Sequence, residues 1–176
     1  MPDNDSRSGT SSGESADGSS IMIRRLLVIG AVAIASLGAL AVPSSAAQTP
    51  TLTNIRTGAH EYYDRVVLDF SGAAPDRTVS YVPQIVQDGS GEPIPMPGNA
   101  FLQLGMNPAA AHDDNGNPTY TGPRLFTTPA LTNVKAIALA GDFEGHLTIG
   151  ISMDHKSLYS VSTLTNPTRV VIDIGH

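Results

Sequence analysis

A chain of 176 residues with a formal net charge of −6, 40% hydrophobic residues and no cysteine is closed to several function classes before any motif is read. The acid excess argues against a nucleic-acid partner and leaves no polybasic patch for a membrane surface. Without cysteine there is no disulfide, no thiolate metal ligand and no N-terminal cysteine to carry a lipid, so a folded domain must rest on packing and sheet hydrogen bonds.

Residues 1–21 are dominated by Ser, Gly and Asp. Such a tail buries too little apolar surface to offset its ordering entropy and is expected to be disordered. Residues 22–47 then carry Arg24-Arg25, an apolar run from Leu26 to Val42, and the small residues Ser44-Ser45-Ala46-Ala47. A positive head, an apolar middle and a small-residue exit describe a secretory signal helix. The run is 17 residues long and diluted by Gly30, Ser36 and Gly38, at the short end of the roughly 17–25 that a spanning helix needs. Cleavage is therefore the expectation. An uncleaved anchor, the alternative, would be the chain's one membrane contact. The polar tail ahead of the signal is explained by Met22 as the true first residue or by a cytosolic extension of an anchor. Arg24-Arg25 also fits a twin-arginine export signal, although an ordinary positive head accounts for the pair. Residues 48–176 are thus expected outside the cytoplasm, secreted or in the cell wall or a periplasm-like space. They form one domain long enough to close its own core.

That domain reads as all-β. Short runs alternate with period two and are separated by Gly, Pro, Asn and Asp, the pattern of half-buried strands and turns. Strands are expected at Thr51–Thr57 and at Arg65–Ser71, where Val66, Leu68 and Phe70 share one face. Thr78–Val82 and Ala100–Gly105 follow. Val134–Leu139 and Phe143–Met153 read as a hairpin around Ala140-Gly141-Asp142, with Leu147, Ile149 and Ile151 inward. Leu158–Leu164 and Arg169–Ile174 complete about eight strands, which suggests an antiparallel β-sandwich or an open barrel. Asp88–Gly98 and Asn107–Pro123 are long loops, where binding tends to reside. Ala109-Ala110-Ala111 allows a helical turn.

Two of these strands nearly repeat: Arg65–Phe70 is RVVLDF and Arg169–Ile174 is RVVIDI. Paired antiparallel with Val67 opposite Val171, they set Arg65 against Asp173 and Asp69 against Arg169. Parallel pairing would set Arg beside Arg. Charge therefore favours antiparallel neighbours. Two unrelated strands of common composition would also show this likeness.

The ending LTNPTRVVIDI (Leu164–Ile174) resembles the terminal strand motif of AMIN domains, the small β modules of cell-envelope proteins. The fuller chain is similar to the AMIN-like domain of secreted actinobacterial proteins. That likeness rests on YDRVVLDFSG (Tyr63–Gly72), SYV (Ser80–Val82), GSGEPIP (Gly89–Pro95), AFLQL (Ala100–Leu104), PAAAHD (Pro108–Asp113), PTYTGPR (Pro118–Arg124) and AGDFEG (Ala140–Gly145). It covers most of Thr53–His176. It implies a β-sandwich, and a docking unit like those that hold enzymes or secretins at the septum or on peptidoglycan. Unlike the amidase arrangement, no catalytic domain is read after this one.

Catalytic chemistry is hard to assemble from what remains. His60, His112, His146, His155 and His176 form no HExxH pair, there is no Cys, and no GxSxG occurs, so neither a preset metal site nor a nucleophile elbow is read. The chain is expected to be no enzyme and to need no cofactor. His112–Asn117 (HDDNGN) is the densest polar cluster and resembles the opening of a calcium loop. Pro118 stands where such a loop needs Gly, and Arg124 stands where it needs Glu. An Asx-rich loop tip is the simpler reading. The chain has no Trp, and core packing accounts for most of its aromatics. His60, Tyr62, Tyr63 and Arg65 are the chosen contact surface, since one of two adjacent tyrosines on a strand must face out. The expected partner is peptidoglycan or another wall polymer. The alternative is an envelope protein docking on a sheet edge or the long loops, and a wall hydrolase is a third reading.

Overall fold

The alternating runs become nine strands among the described residues, most of them bounded by the Gly, Pro, Asn or Asp residues that mark turns in the sequence. The computed structural model describes residues 48–176. The readings of the tail at 1–21 and of the signal segment at 22–47 lie outside the described residues. β1 (Thr51–Ala59), β2 (Tyr63–Ser71), β9 (Thr168–Gly175) and β8 (Tyr159–Leu164) form a first, four-stranded sheet in the order β1-β2-β9-β8. β3 (Asp76–Val82), β4 (Ala100–Asn107), β7 (His146–Met153), β6 (Val134–Phe143) and β5 (Leu125–Thr127) form a second, five-stranded sheet in the order β3-β4-β7-β6-β5. All strand pairs are antiparallel. The result is the expected antiparallel β-sandwich.

Period-two alternation decides what lies between the sheets. Val66, Leu68 and Phe70 of β2 and Val170, Ile172 and Ile174 of β9 enter from the first sheet. Leu102, Leu104 and Met106 of β4 and Leu147, Ile149 and Ile151 of β7 meet them from the second. Each large side chain so buried contributes about 1.5–3 kcal/mol, and with no disulfide this interlayer carries the domain.

The repeated strands are neighbours, antiparallel, with Val67 opposite Val171 and Arg65 opposite Asp173. One expected charge pair forms: Arg65 donates from Nε and Nη2 to the two Asp173 oxygens at 2.7 and 2.8 Å. The other does not. Asp69 lies opposite Arg169, but its carboxylate accepts a two-pronged contact from Arg56 of β1 at 2.7 and 2.6 Å. With both oxygens taken by the guanidinium fork, Arg169 turns its Nε to the Pro167 carbonyl at 3.2 Å.

Three local expectations are corrected. The β6–β7 turn is Glu144-Gly145, not Ala140-Gly141-Asp142. Phe143 pairs with His146, and the two turn residues take φ of 49° and 74°, the left-handed pair that a two-residue hairpin loop requires. Gly141 lies within β6, where a register shift lets the strand continue. Ala109-Ala110-Ala111 forms no helical turn: all three are buried, and Ala110 bridges Thr51 at the start of β1. β5 has no counterpart among the expected strands.

The 83–99 connection is a cover rather than a free loop. The outer face of β6 and β7 is built from Ala136, Ala138, Gly150 and Ser152, all buried. Ile85 fills the shallow space they leave, and a Cβ on Gly150 would come within 2.6 Å of it. Asp88 lies against Gly141, where any Cβ would overlap its carboxylate. It accepts the Thr148 hydroxyl at 2.6 Å, and its N–H reaches the Ala140 carbonyl at 3.2 Å. The loop closes on itself through Ile94 N–H to Ile85 O and Gln87 N–H to Glu92 O, both at 2.9 Å.

Asp64 ties the two sheets together. It is fully buried at the start of β2, and its carboxylate accepts the backbone N–H groups of Thr132, Asn133 and Val134 at 3.1, 2.6 and 2.9 Å. Asn133 extends the knot. Its amide donates to the Gly175 carbonyl at 2.9 Å, and its side-chain oxygen accepts the His155 N–H at 3.2 Å.

Candidate functional site

Since the cover occupies the outer side of β6 and β7, the outer face of the first sheet is the broad open one. Register sets its rows. Arg56, Val67, Val171 and Ser162 lie in one row across β1, β2, β9 and β8. Gly58, Arg65, Asp173 and Ser160 form the next, and Asn54, Asp69, Arg169 and Leu164 another. The paired Val67 and Val171, both buried, thus lie between two forked ion pairs, with serine hydroxyls along one side. Among the described residues Arg169 has no carboxylate within 4 Å, so it is the unneutralised cation of this face.

Three of the four sequence-predicted residues meet at one end of that face. β1 ends at Ala59 and β2 opens at Tyr63, so His60 and Tyr63 flank the connecting turn and stack, with centroids 4.4 Å apart and planes 18° apart. The Arg65 guanidinium lies 5.3 Å from the Tyr63 ring centre, donates to its hydroxyl at 3.3 Å, and is held by Asp173. Hydrogen bonding to Asp173 raises the pKa of Arg65 above its ordinary value, so the cation is permanent. The His176 ring nitrogen lies 3.2 Å from the His60 carbonyl oxygen. Tyr62 stands apart. It lies in the turn before β2 rather than on a strand, is 73% exposed, and its phenol is pushed up chiefly by a hydrogen bond to Glu61. Both tyrosines reach solvent because the strand begins at Tyr63, so simple alternation between them does not apply.

At the far end of the sandwich, His112 Nδ1 lies 2.8 Å from Asp142 Oδ2, while Asp142 Oδ1 accepts the Ala111 N–H at 2.9 Å. Two shallow clefts of about 340 and 320 Å³ flank His112. Neither partner choice was legible, because Asp142 reads as a turn residue in the sequence. The neighbouring 113–117 loop spends its carboxylate on itself: Asp113 accepts the N–H groups of Asn115 and Asn117 and the Asn117 amide at 2.9, 2.8 and 3.0 Å. The Asn117 amide, more than its N–H and that of Asn115, holds the Asp113 carboxyl below its usual range. No group of three or more His, Cys, Asp or Glu is placed to hold a metal ion among the described residues. Asp64 was also missed as a key residue, although the alternation that points Val66, Leu68 and Phe70 inward points Asp64 inward too.

The chain is thus a two-sheet antiparallel sandwich with an aromatic–arginine cluster at one end of its first sheet. The AMIN-like domain family model matches residues 50–176, and the chain belongs to that family. The AMIN-like domain is a non-catalytic, envelope-type module. No curated protein and no solved structure matches the chain.

Proposed function

We propose that the domain is exported and docks on peptidoglycan or a related wall polymer through the outer face of the first sheet, without transforming what it binds. The observation that carries this reading is the composition of that face. A stacked ring pair at His60 and Tyr63, the ion pair of Arg65 with Asp173 and an unneutralised cation at Arg169 occur together on the outer side of the first sheet. A glycan with carboxylate-bearing branches asks for these groups: a flat ring for its apolar sugar faces, the unneutralised Arg169 guanidinium for its carboxylates and the serine hydroxyls for its edges. The net negative charge of the chain keeps such contact local.

The test is co-sedimentation of the protein with purified, protein-free cell wall. The protein is expected in the pellet. Tyr63→Ala is expected to lower the bound fraction by about 2–10-fold, the range that an aromatic contact of about 0.5–1.5 kcal/mol corresponds to. Protein that stays in the supernatant, or binding that survives Tyr63→Ala and Arg169→Ala together, refutes the assignment to this face.

A further inference from the structure

Each sheet has two edges, and three of the four are protected against pairing with another chain. β1 carries a register irregularity between Leu52 and Asn54, and its first residue is bridged by Ala110. β3 bears Asp76 and Arg77, and β5 is three residues long. Bulges, charges and shortness are the ordinary means of blunting an edge. β8 has none of them. Its six residues, Tyr159–Leu164, are uncharged and free of proline, and their ladder to β9 is regular.

The sequence of this edge is close to a palindrome. Leu158-Tyr159-Ser160-Val161-Ser162-Thr163-Leu164 reads the same in both directions apart from the Tyr159/Thr163 exchange. The backbone phase agrees with it. Gly175 N–H donates to the Leu158 carbonyl at 3.0 Å, and in an antiparallel ladder the bonded residues alternate. Ser160, Ser162 and Leu164 therefore turn their backbone groups toward β9, while Tyr159, Val161 and Thr163 turn theirs outward.

We propose that β8 pairs with β8 of a second copy of this chain, antiparallel, with Val161 on the twofold axis. This register sets Ser160 opposite Ser162 and Leu158 opposite Leu164. It brings the outward groups of residues 159, 161 and 163 together in about six hydrogen bonds. It also covers two of the domain's most exposed leucines, Leu158 at 90% and Leu164 at 42%, with one another. Two four-stranded sheets join into one. Directly opposed residues in an antiparallel pair point to the same side, so the open outer faces of both copies look the same way and can engage one surface together. An edge-to-edge contact of this length lies below standard interface size, so the dimer forms with a dissociation constant of about 10 µM to 1 mM.

Sedimentation equilibrium of the full chain across that range, with residues 44–176 as a second sample, tests the pairing. Ser160→Lys with Ser162→Lys sets like charges opposite each other across the axis, and Ser160→Glu with Ser162→Glu does the same with the other sign. Each variant alone is expected to sediment as monomer where the unmodified chain is dimeric, and an equimolar mixture of the two is expected to regain the dimer mass. Leu158→Glu is an independent lesion at a side chain already in solvent, should a double variant unfold. A single monomer mass up to about 1 mM, a dimer that persists in both variants, or a mixture that stays monomeric overturns the proposal. Capture of an envelope protein by β8, with the chain monomeric throughout, overturns it as well.

Discussion

Replacing Asp64 tests the claim that one buried carboxylate holds the two layers in register. In Asp64→Ala the N–H groups of Thr132, Asn133 and Val134 lose their acceptor; the bonds from Asn133 and Val134 are buried and that from Thr132 is partly buried. At about 1–3 kcal/mol for each buried donor left unsatisfied, the cost is about 3–6 kcal/mol, a large part of the roughly 5–15 kcal/mol that a domain has in total. Asp64→Asn keeps one acceptor oxygen, which can still serve Asn133 and Val134. Its amide nitrogen then faces the Thr132 N–H, and the loss is about 1.5–3 kcal/mol. Urea titrations followed by circular dichroism measure both. The expected order is wild type, then Asn, then Ala, with Asp173→Asn on the surface costing no more than about 1 kcal/mol. An Asp64→Ala protein within about 0.5 kcal/mol of wild type would refute the reasoning, because the three donors would then have found other partners at no cost.

Gly141→Ala drives a methyl into the Asp88 carboxylate and breaks its contact with Thr148. It is expected to lose about 1–3 kcal/mol and to expose the 83–99 cover to limited proteolysis, which gel analysis reads directly. Ile85→Ala removes the side chain that seals the outer face of β6 and β7 and is expected to cost about 2–4 kcal/mol by urea titration. The 113–117 loop has a pH dependence of definite sign. Asp113 has a folded pKa below its ordinary value of 3.8, so its contribution is fully present above that value and is lost as pH falls through the lower folded value. Protection of the Asn115 and Asn117 amides, measured relative to the intrinsic exchange rate at each pH, is expected to fall below that pH and to be complete at neutrality. If wall binding runs through Arg169, Arg169→Ala lowers retention at low salt and has less effect at high salt, as a co-sedimentation series in sodium chloride will show.

Much of the fold was legible because alternation and turn residues agree along most of the chain. The near-repeat of RVVLDF and RVVIDI suggested that these strands are neighbours, and charge favoured the antiparallel register that the sheet has. That reasoning failed at Asp69, where a two-body view omitted Arg56 arriving from β1. The β6–β7 turn was misplaced because Ala140-Gly141-Asp142 has turn composition, whereas Gly141 is small to admit Asp88. The better signal was Glu144-Gly145, two residues later. β5 is too short to show a period. Three of the chosen site residues cluster because they flank one hairpin, which local sequence can reveal. The His112–Asp142 pair joins segments 30 residues apart, and local reading has no access to it.

The chain enters the domain at the Thr51 end of β1 and leaves it at Gly175, beside the His60–Tyr63 stack at the other end. Nine residues of β1 at about 3.3 Å each separate the two ends by roughly 30 Å. An affinity handle placed after His176 would crowd the aromatic tip and mute any wall-retention assay. A handle placed ahead of residue 48 would hold the same domain by its opposite pole and leave that tip free.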